Sequence, residues 1–271
     1  MKKLDIVNID RGEIGICNIC LQKKRLTWEH IVPQAALFYD DLVLTSIHQH
    51  IHGNQLKFRP RISQSGLKLR TVCKDCNSKM GRELDPALIH FLKTVKNFGE
   101  SHLVFNPTIL IRCKPNAIIR AVLGHLLASK YHLEFSDFDA LARRIIFDYK
   151  QPIPNNLNLF YWAYPYKNIA AYRDIIMLSQ RGDFGSVTIF QILKCYPVSF
   201  LFTDLDNYEN LLSLKKFNSV SPEKIESIPL KIFKNYTPNW PESVGVDNIL
   251  TIGQAGASSI IGTQKKDLNT K

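Results

Sequence analysis

In the first part of the chain, apolar and polar positions alternate with a period of two. The stretch RGEIGICNIC, residues 11–20, leads from a Gly-Glu turn into an alternating segment. In RISQSGLKLRTVC, Leu67, Leu69 and Thr71 alternate with Lys68, Arg70 and Val72. Residues 1–85 therefore read as short strands and loops. The period then changes. Asp85-Pro86 has the form of an N-cap followed by proline at the first helical position, and Ala87, Leu88, Phe91, Leu92 and Val95 repeat with helical spacing up to Gly99. Asn116 is placed to cap an amphipathic helix through Ile118, Ile119, Val122, Leu123, Leu126 and Leu127, and Asp137 to Tyr149 reads as another. After KQPIPNN the pattern turns strand-like in NLFYWAYPY, YRDIIMLSQ, FGSVTIFQIL and CYPVSFLFTD, which predicts an antiparallel sheet. Tyr208 to Leu214 reads as a short helix, and the mix of Gly, Ser, Gln and Lys from Gly253 predicts a mobile tail.

These elements define an α+β chain with three parts. Residues 1–99 form one module, 100–252 form an α+β unit in which helices precede an antiparallel sheet, and 253–271 form the tail. No internal repeat or low-complexity tract is present. An apolar fraction of 45% over 271 residues suffices for a real core without disulfides. No window approaches the roughly 18 uninterrupted apolar residues of a membrane span. The N-terminus MKKLDIVNIDRGE carries charges where a signal peptide needs its apolar region, so a soluble, cytoplasmic protein is expected. Thirty-five basic against 24 acidic residues give a net charge of +11 and a pI near 9.3, which favours a polyanionic partner such as DNA or RNA.

The six cysteines fall into two C-x-x-C pairs, Cys17/Cys20 and Cys73/Cys76, and two singletons, Cys113 and Cys195, expected as small buried hydrophobes. A C-x-x-C turn delivers two sulfurs from one knuckle, and two such turns complete a tetrahedral zinc site. Cys17, Cys20, Cys73 and Cys76 are thus the expected ligands of a structural zinc, with no open position for chemistry. The spacing departs from the roughly 15–20 residues common between zinc-ribbon knuckles. Residues 21–72 intervene, so something is inserted between them.

Within that interval lies TWEHIVPQ, Thr27 to Gln34, and the second knuckle continues as CKDCNSKMGRELD, with Asn77 directly after Cys76. Together these stretches, over roughly residues 15–90, resemble the HNH endonuclease family, above all its zinc-stapled branch. The resemblance implies a ββα-metal module: a strand carrying Glu29-His30, a second strand, and a helix beginning near the second knuckle. It implies Glu29 and Asn77 as ligands of a catalytic Mg²⁺ or Mn²⁺ ion, and His30 as the general base. The residue types suit those roles, since imidazole titrates near neutral pH and carboxylate and carboxamide oxygens suit a hard cation. Neighbours on a regular strand face opposite ways, so the strand must end or bend at Glu29-His30 for both to serve one phosphate. Where some relatives carry a second metal-binding histidine, this chain has Gly81, and for the middle Asn of the motif Asn54, Ser63 and Ser65 are all candidates. Asp85 is taken as a helix cap.

Residues 35–66 exceed what such a module needs. They include SIHQHIHGN, in which His48, His50 and His52 would share one strand face, either as a metal or phosphate site or as a polar loop. Lys57, Arg59, Arg61, Lys68 and Arg70 follow with no acidic residue between Asn54 and Val72, which is the pattern of a phosphate-binding face. Tyr161, Trp162, Tyr164 and Tyr166 are read either as sheet core or as a base-stacking face. The function expected is metal-dependent hydrolysis of phosphodiester bonds in DNA, nicking with one site and cutting both strands as a homodimer. Two rivals stand beside it. One is a zinc-stapled DNA-binding module without catalysis, and the other is a nuclease subunit of an antiphage or mobile-element complex, silent until a protein partner docks on residues 100–252.

Overall fold

The computed structural model describes residues 7, 9–36, 39–47, 61–102, 106–133, 135–178, 187–208, 211–232, 237–238, 240–241, 249–251 and 259–265. They form an α+β fold whose sheets are mostly antiparallel. Strands β1 (Ile14–Ile16), β2 (Lys23–His30) and β5 (Lys68–Cys73) make a small sheet in the order β1-β2-β5. Helix α1 (Lys74–Glu83) leaves directly from the end of β5. Periodicity alone misses this helix, because its only buried positions are Cys76 and Met80, too few to make an apolar stripe. Helix α2 (Asp85–Gly99) runs as expected and buries Leu88, Phe91, Leu92 and Val95.

Helix α3 (Pro115–Ala128) differs from expectation in character: every one of its residues is buried, so it is a central helix rather than an amphipathic surface one. Its N-cap is Lys114. Asn116, the second residue of the helix, donates instead to the carbonyls of Phe217 (2.9 Å) and Asn218 (3.1 Å). Helix α4 (Asp137–Ile145) starts where expected, behind a Ser136 capping box, but stops short of Tyr149. Buried Arg120 donates to the carbonyls of Ile145, Asp148 and Gln151 and so draws the chain out of the helix.

The larger sheet contains the four strands read from the sequence, β7 (Asn158–Ala163), β8 (Ile169–Leu178), β9 (Val187–Lys194) and β10 (Val198–Thr203), paired antiparallel in the order β7-β10-β9-β8. Both faces are covered. Leu159 and Tyr161 of β7 enter the main core and Phe160 and Trp162 a second one, so this strand reads as a continuous apolar run. Tyr161, Trp162 and Tyr164 are buried, which settles these three as core. In place of the short helix expected at 208–214, Leu212–Ser213 form β11 at the sheet edge, followed by a 3₁₀ turn at Lys215–Phe217.

Beyond β8 the sheet is extended by segments the sequence did not announce. Strands β3 (Leu42–Ser46) and β4 (Arg61–Ser63), from the insert between the knuckles, lie at its other end. Between β3 and β8 runs β14 (Ile260–Gln264), from the segment expected as a tail. Gly262 explains why so short and weakly apolar a segment fits there: a Cβ would come within 2.9 Å of Leu42 and 3.0 Å of Ile169. A single core continues from Val7 through Leu26, Leu88 and Leu123 to Phe200 and Ile260, with no break near residue 100. Strands β6 (Thr108–Cys113) and β12 (Glu226–Lys231) pair separately, and β13 (Ile249–Thr251) adds to β8.

A buried charge cluster ties the helices to this sheet. At a bulge in β8, where Asp174 adopts φ +51°, Asp139 of α4 pairs with both Lys130 and Arg173 at 2.5 Å. Gln191 of β9 accepts from Arg173 Nε at 2.7 Å and donates to Asp174 at 2.7 Å. Each charge thereby has opposite partners, the condition for tolerating ions in a core.

Candidate metal centres

The first C-x-x-C pair sits in the turn between β1 and β2, and the second straddles the end of β5 and the first turn of α1. The pairing of β2 with β5 therefore closes the two knuckles on each other. The four sulfurs all lie within 4.8 Å of one another, and Cys20 Sγ is 3.9 Å from Cys73 Sγ. A tetrahedron with Zn–S bonds near 2.3 Å has sulfurs about 3.8 Å apart. A disulfide needs about 2.05 Å. The thiol of Cys76 and the backbone N–H groups of Cys73 and Ile19 all point at Cys17, pulling its pKa below the ordinary thiol range despite its burial, while the same contact pushes the Cys76 pKa up. This centre can bind a metal such as zinc.

The knuckle is fastened to the centre of the molecule. Asn18, fully buried, donates to the carbonyls of Leu127 (2.8 Å) and Lys130 (2.7 Å) and accepts from Arg11 (2.6 Å). Thr71 of β5 donates to the carbonyl of Ala128 at 2.6 Å. The open carbonyls at the end of α3 are thus capped by the small sheet that carries the cysteines, which fixes α3 against it.

Glu29 and His30 are the last two residues of β2. A bulge between Thr27 and Trp28 turns the last residues. Glu29 points inward and is only 6% exposed. There it meets Asp85 and His125, and the three offer ligand atoms within 4.8 Å of one another. His125 Nε2 is 3.0 Å from Asp85 Oδ1, and Nδ1 is 3.8 Å from Glu29 Oε1. Asp85 is the first residue of α2, with Leu84 at the N-cap and no capping bond from a side chain, so its expected role as a cap is replaced by this contact. Burial, opposed by His125 and reinforced by Asp85, lifts Glu29 to about 7.

His30 is half-buried, with Nε2 enclosed and without a hydrogen-bond partner. Burial and the adjacent Lys68, its cross-strand partner, lower its pKa, and a contact with the Ser65 backbone works the other way. Ser65 and Gly66 both have positive φ in the turn before β5, and the Ser63 hydroxyl ties that turn by donating to the Gly66 carbonyl at 2.8 Å. At φ +99° this turn requires glycine. Asn77, half-buried on α1, spends both amide hydrogens on β2, bonding Thr27 Oγ1 (3.1 Å) and the Trp28 carbonyl (3.2 Å).

Among the expected phosphate contacts, Lys68 lies beside His30, and Arg61 sits on β4. Arg70 stacks over Trp28 at 4.9 Å and pairs with Asp10 at 3.5 Å, so its charge is already partly engaged. Lys57 and Arg59 fall outside the described residues, as do Asn54 and the three alternating histidines. A cavity of about 580 Å³ beside the start of α2 is lined by Arg82, Glu83, His90, Arg112, Lys114 and Glu223, with Lys114 paired to Glu223, polar groups that sequence spacing did not bring together. His125 was also missed: it lies in an apolar helical run 95 positions from His30, and only the packing of α3 brings it to Glu29. Among the described residues no helix is long and apolar enough to cross a membrane. Comparison with protein-family models, curated proteins and solved structures found no match to this chain.

Proposed function

We propose that this chain is a metal-dependent endonuclease of the HNH type that hydrolyses phosphodiester bonds in DNA. The observation that carries the reading is the adjacent pair at the end of β2: an inward carboxylate, Glu29, in a metal-competent cluster, and beside it a histidine whose Nε2 has no partner. In this reading His30, kept on its neutral side by burial and Lys68, takes a proton from the attacking water. Glu29 holds the divalent ion, and Asn77 either adds its remaining oxygen or fastens α1 to β2. When bound, that ion would stabilise negative charge on the phosphate and the leaving oxygen. Lys68 holds the phosphate near His30. The four-cysteine centre holds zinc and keeps β2, β5 and α1 in register.

The slight exposure of Glu29 favours a second reading, a zinc-stapled DNA-binding module without catalysis. Supercoiled plasmid and purified zinc-loaded protein, with Mg²⁺ or Mn²⁺ against EDTA, separate the two. Metal-dependent nicking that His30→Ala abolishes, with zinc content unchanged, supports the nuclease. DNA binding without cutting by the wild type supports the binder, unless addition of a protein partner switches cutting on.

A further inference from the structure

Two buried side chains, Glu29 and His125, and the partly exposed Asp85 face one another at the junction of β2, α2 and α3, and His125 Nδ1 has no hydrogen-bond partner. The His125 ring is fully buried. Its Nε2 lies 3.0 Å from Asp85 Oδ1, a distance for an N–H donated to the carboxylate. That bond leaves Nδ1, which has no hydrogen-bond partner, directed at Glu29 Oε1 across 3.8 Å. The gap is too long for a hydrogen bond. It is short enough to be bridged by one ion at the roughly 2.0–2.2 Å bonds of transition-metal sites. Burial lowers the His125 pKa, but Asp85, Glu29 and a contact with the His30 backbone outweigh it, so a proton on the ring competes with an ion for this place.

An imidazole that donates one N–H to a carboxylate and turns its other nitrogen to a second carboxylate has the arrangement typical of a metal-bound histidine. With both carboxylates ionised, this arrangement calls for a cation between them; without one, burial moves Glu29 toward its neutral form. Resting on the metal-dependent reading of this site, we propose that the divalent ion is held by Glu29 and His125 Nδ1, with Asp85 as the residue that orients the ring. The ligand set then includes a nitrogen from α3, outside the stretch that resembles the family. Imidazole selects later first-row ions over Mg²⁺. The site should therefore prefer Co²⁺ to Mg²⁺ more strongly than a set of carboxylate and carboxamide oxygens alone would. The competing arrangement is a second proton on His125, making it an imidazolium between the carboxylates.

The test uses the full chain with zinc already in the cysteine centre, and Mn²⁺ as the probe. Mn²⁺ binding is followed by loss of the free-ion signal in electron paramagnetic resonance. One equivalent should bind the wild type, with affinity falling at least tenfold in Glu29→Gln and in His125→Gln. Asp85→Asn should weaken it by about ten- to a hundredfold. Because His125 is in the core, pulsed measurements on wild-type protein provide the second readout: ¹⁴N coupling to bound Mn²⁺ that persists in His30→Ala identifies His125. Absence of Mn²⁺ binding overturns the proposal in favour of the imidazolium. So does Mn²⁺ bound without nitrogen coupling, or affinity that depends on Asn77 and not on His125. Plasmid nicking is scored separately. Cutting without a nitrogen ligand sinks this assignment and leaves the nuclease standing; a nitrogen-bound ion without cutting does the reverse.

Discussion

At the level of single residues, the chemistry that spacing can carry was legible, and the chemistry that packing creates was not. Two C-x-x-C pairs announce a metal centre because each pair is local, and the long interval between them does no harm once β2 and β5 pair. The place of Glu29-His30 on a strand was legible for the same reason. Asp85 was misread because an acidic residue before proline has the same local form whether it caps a helix or faces a histidine. The cysteines offer the most direct check. Cys73→Ser removes one of four sulfurs, so zinc measured by elemental analysis should fall from about one per chain to near zero. The loss should be accompanied by several kcal/mol of destabilisation, since metal binding here is coupled to folding. Full zinc content in Cys73→Ser would remove Cys73 from the ligand set.

At the level of elements, the helices and the four central strands followed their periodicity, whereas α1, β14 and the strands of the insert did not, being short or sparsely apolar. Their stability comes from particular contacts. The cluster of Lys130, Asp139, Arg173, Asp174 and Gln191 holds α3 and α4 on the bulge of β8. Asp139→Asn leaves two buried cations short of a partner and should cost about 3–5 kcal/mol in urea unfolding. Burial works to raise the Asp139 pKa, but Arg173 and Lys130 outweigh it and hold it at about 2, against an ordinary 3.8. A carboxylate with a depressed folded-state pKa contributes stability above its unfolded value. That contribution, on the order of 2 kcal/mol, is lost as pH falls from about 3.8 through 2. The difference between wild type and Asp139→Asn should therefore shrink on acidification below about pH 4; a constant difference would mean that the carboxylate gains nothing from its partners. In β14, Gly262→Val should cost about 1–3 kcal/mol by overpacking against Leu42 and Ile169. An unchanged melting temperature would show that this strand does not sit between β8 and β3.

At the scale of the whole molecule, the change of composition near residue 100 suggested a nuclease module ending at Gly99, and the packing joins what that boundary separates. The small sheet that carries the cysteines spends Asn18 and Thr71 on the carbonyls of Leu127, Ala128 and Lys130, and α3 brings His125 to Glu29. Helix α3 is buried from end to end, in one core shared with β2, α1 and α2. Sequence patterning could not reveal this, because a buried helix shows the same apolar residues whichever elements cover it. A fragment ending at Gly99 would expose the faces of β5, α1 and α2 that α3 covers, and would leave Asn18 and Thr71 without their acceptors. Even with zinc bound, it should unfold without a cooperative transition and protect few amides from hydrogen exchange. The full chain should melt as one unit, with the amides of β2, β5 and α3 exchanging at a common, slow rate. A fragment 1–99 that folds cooperatively, or a full chain in which β2 and β5 open well before α3, would mean that the small sheet is a separate unit resting on the rest rather than one built around α3.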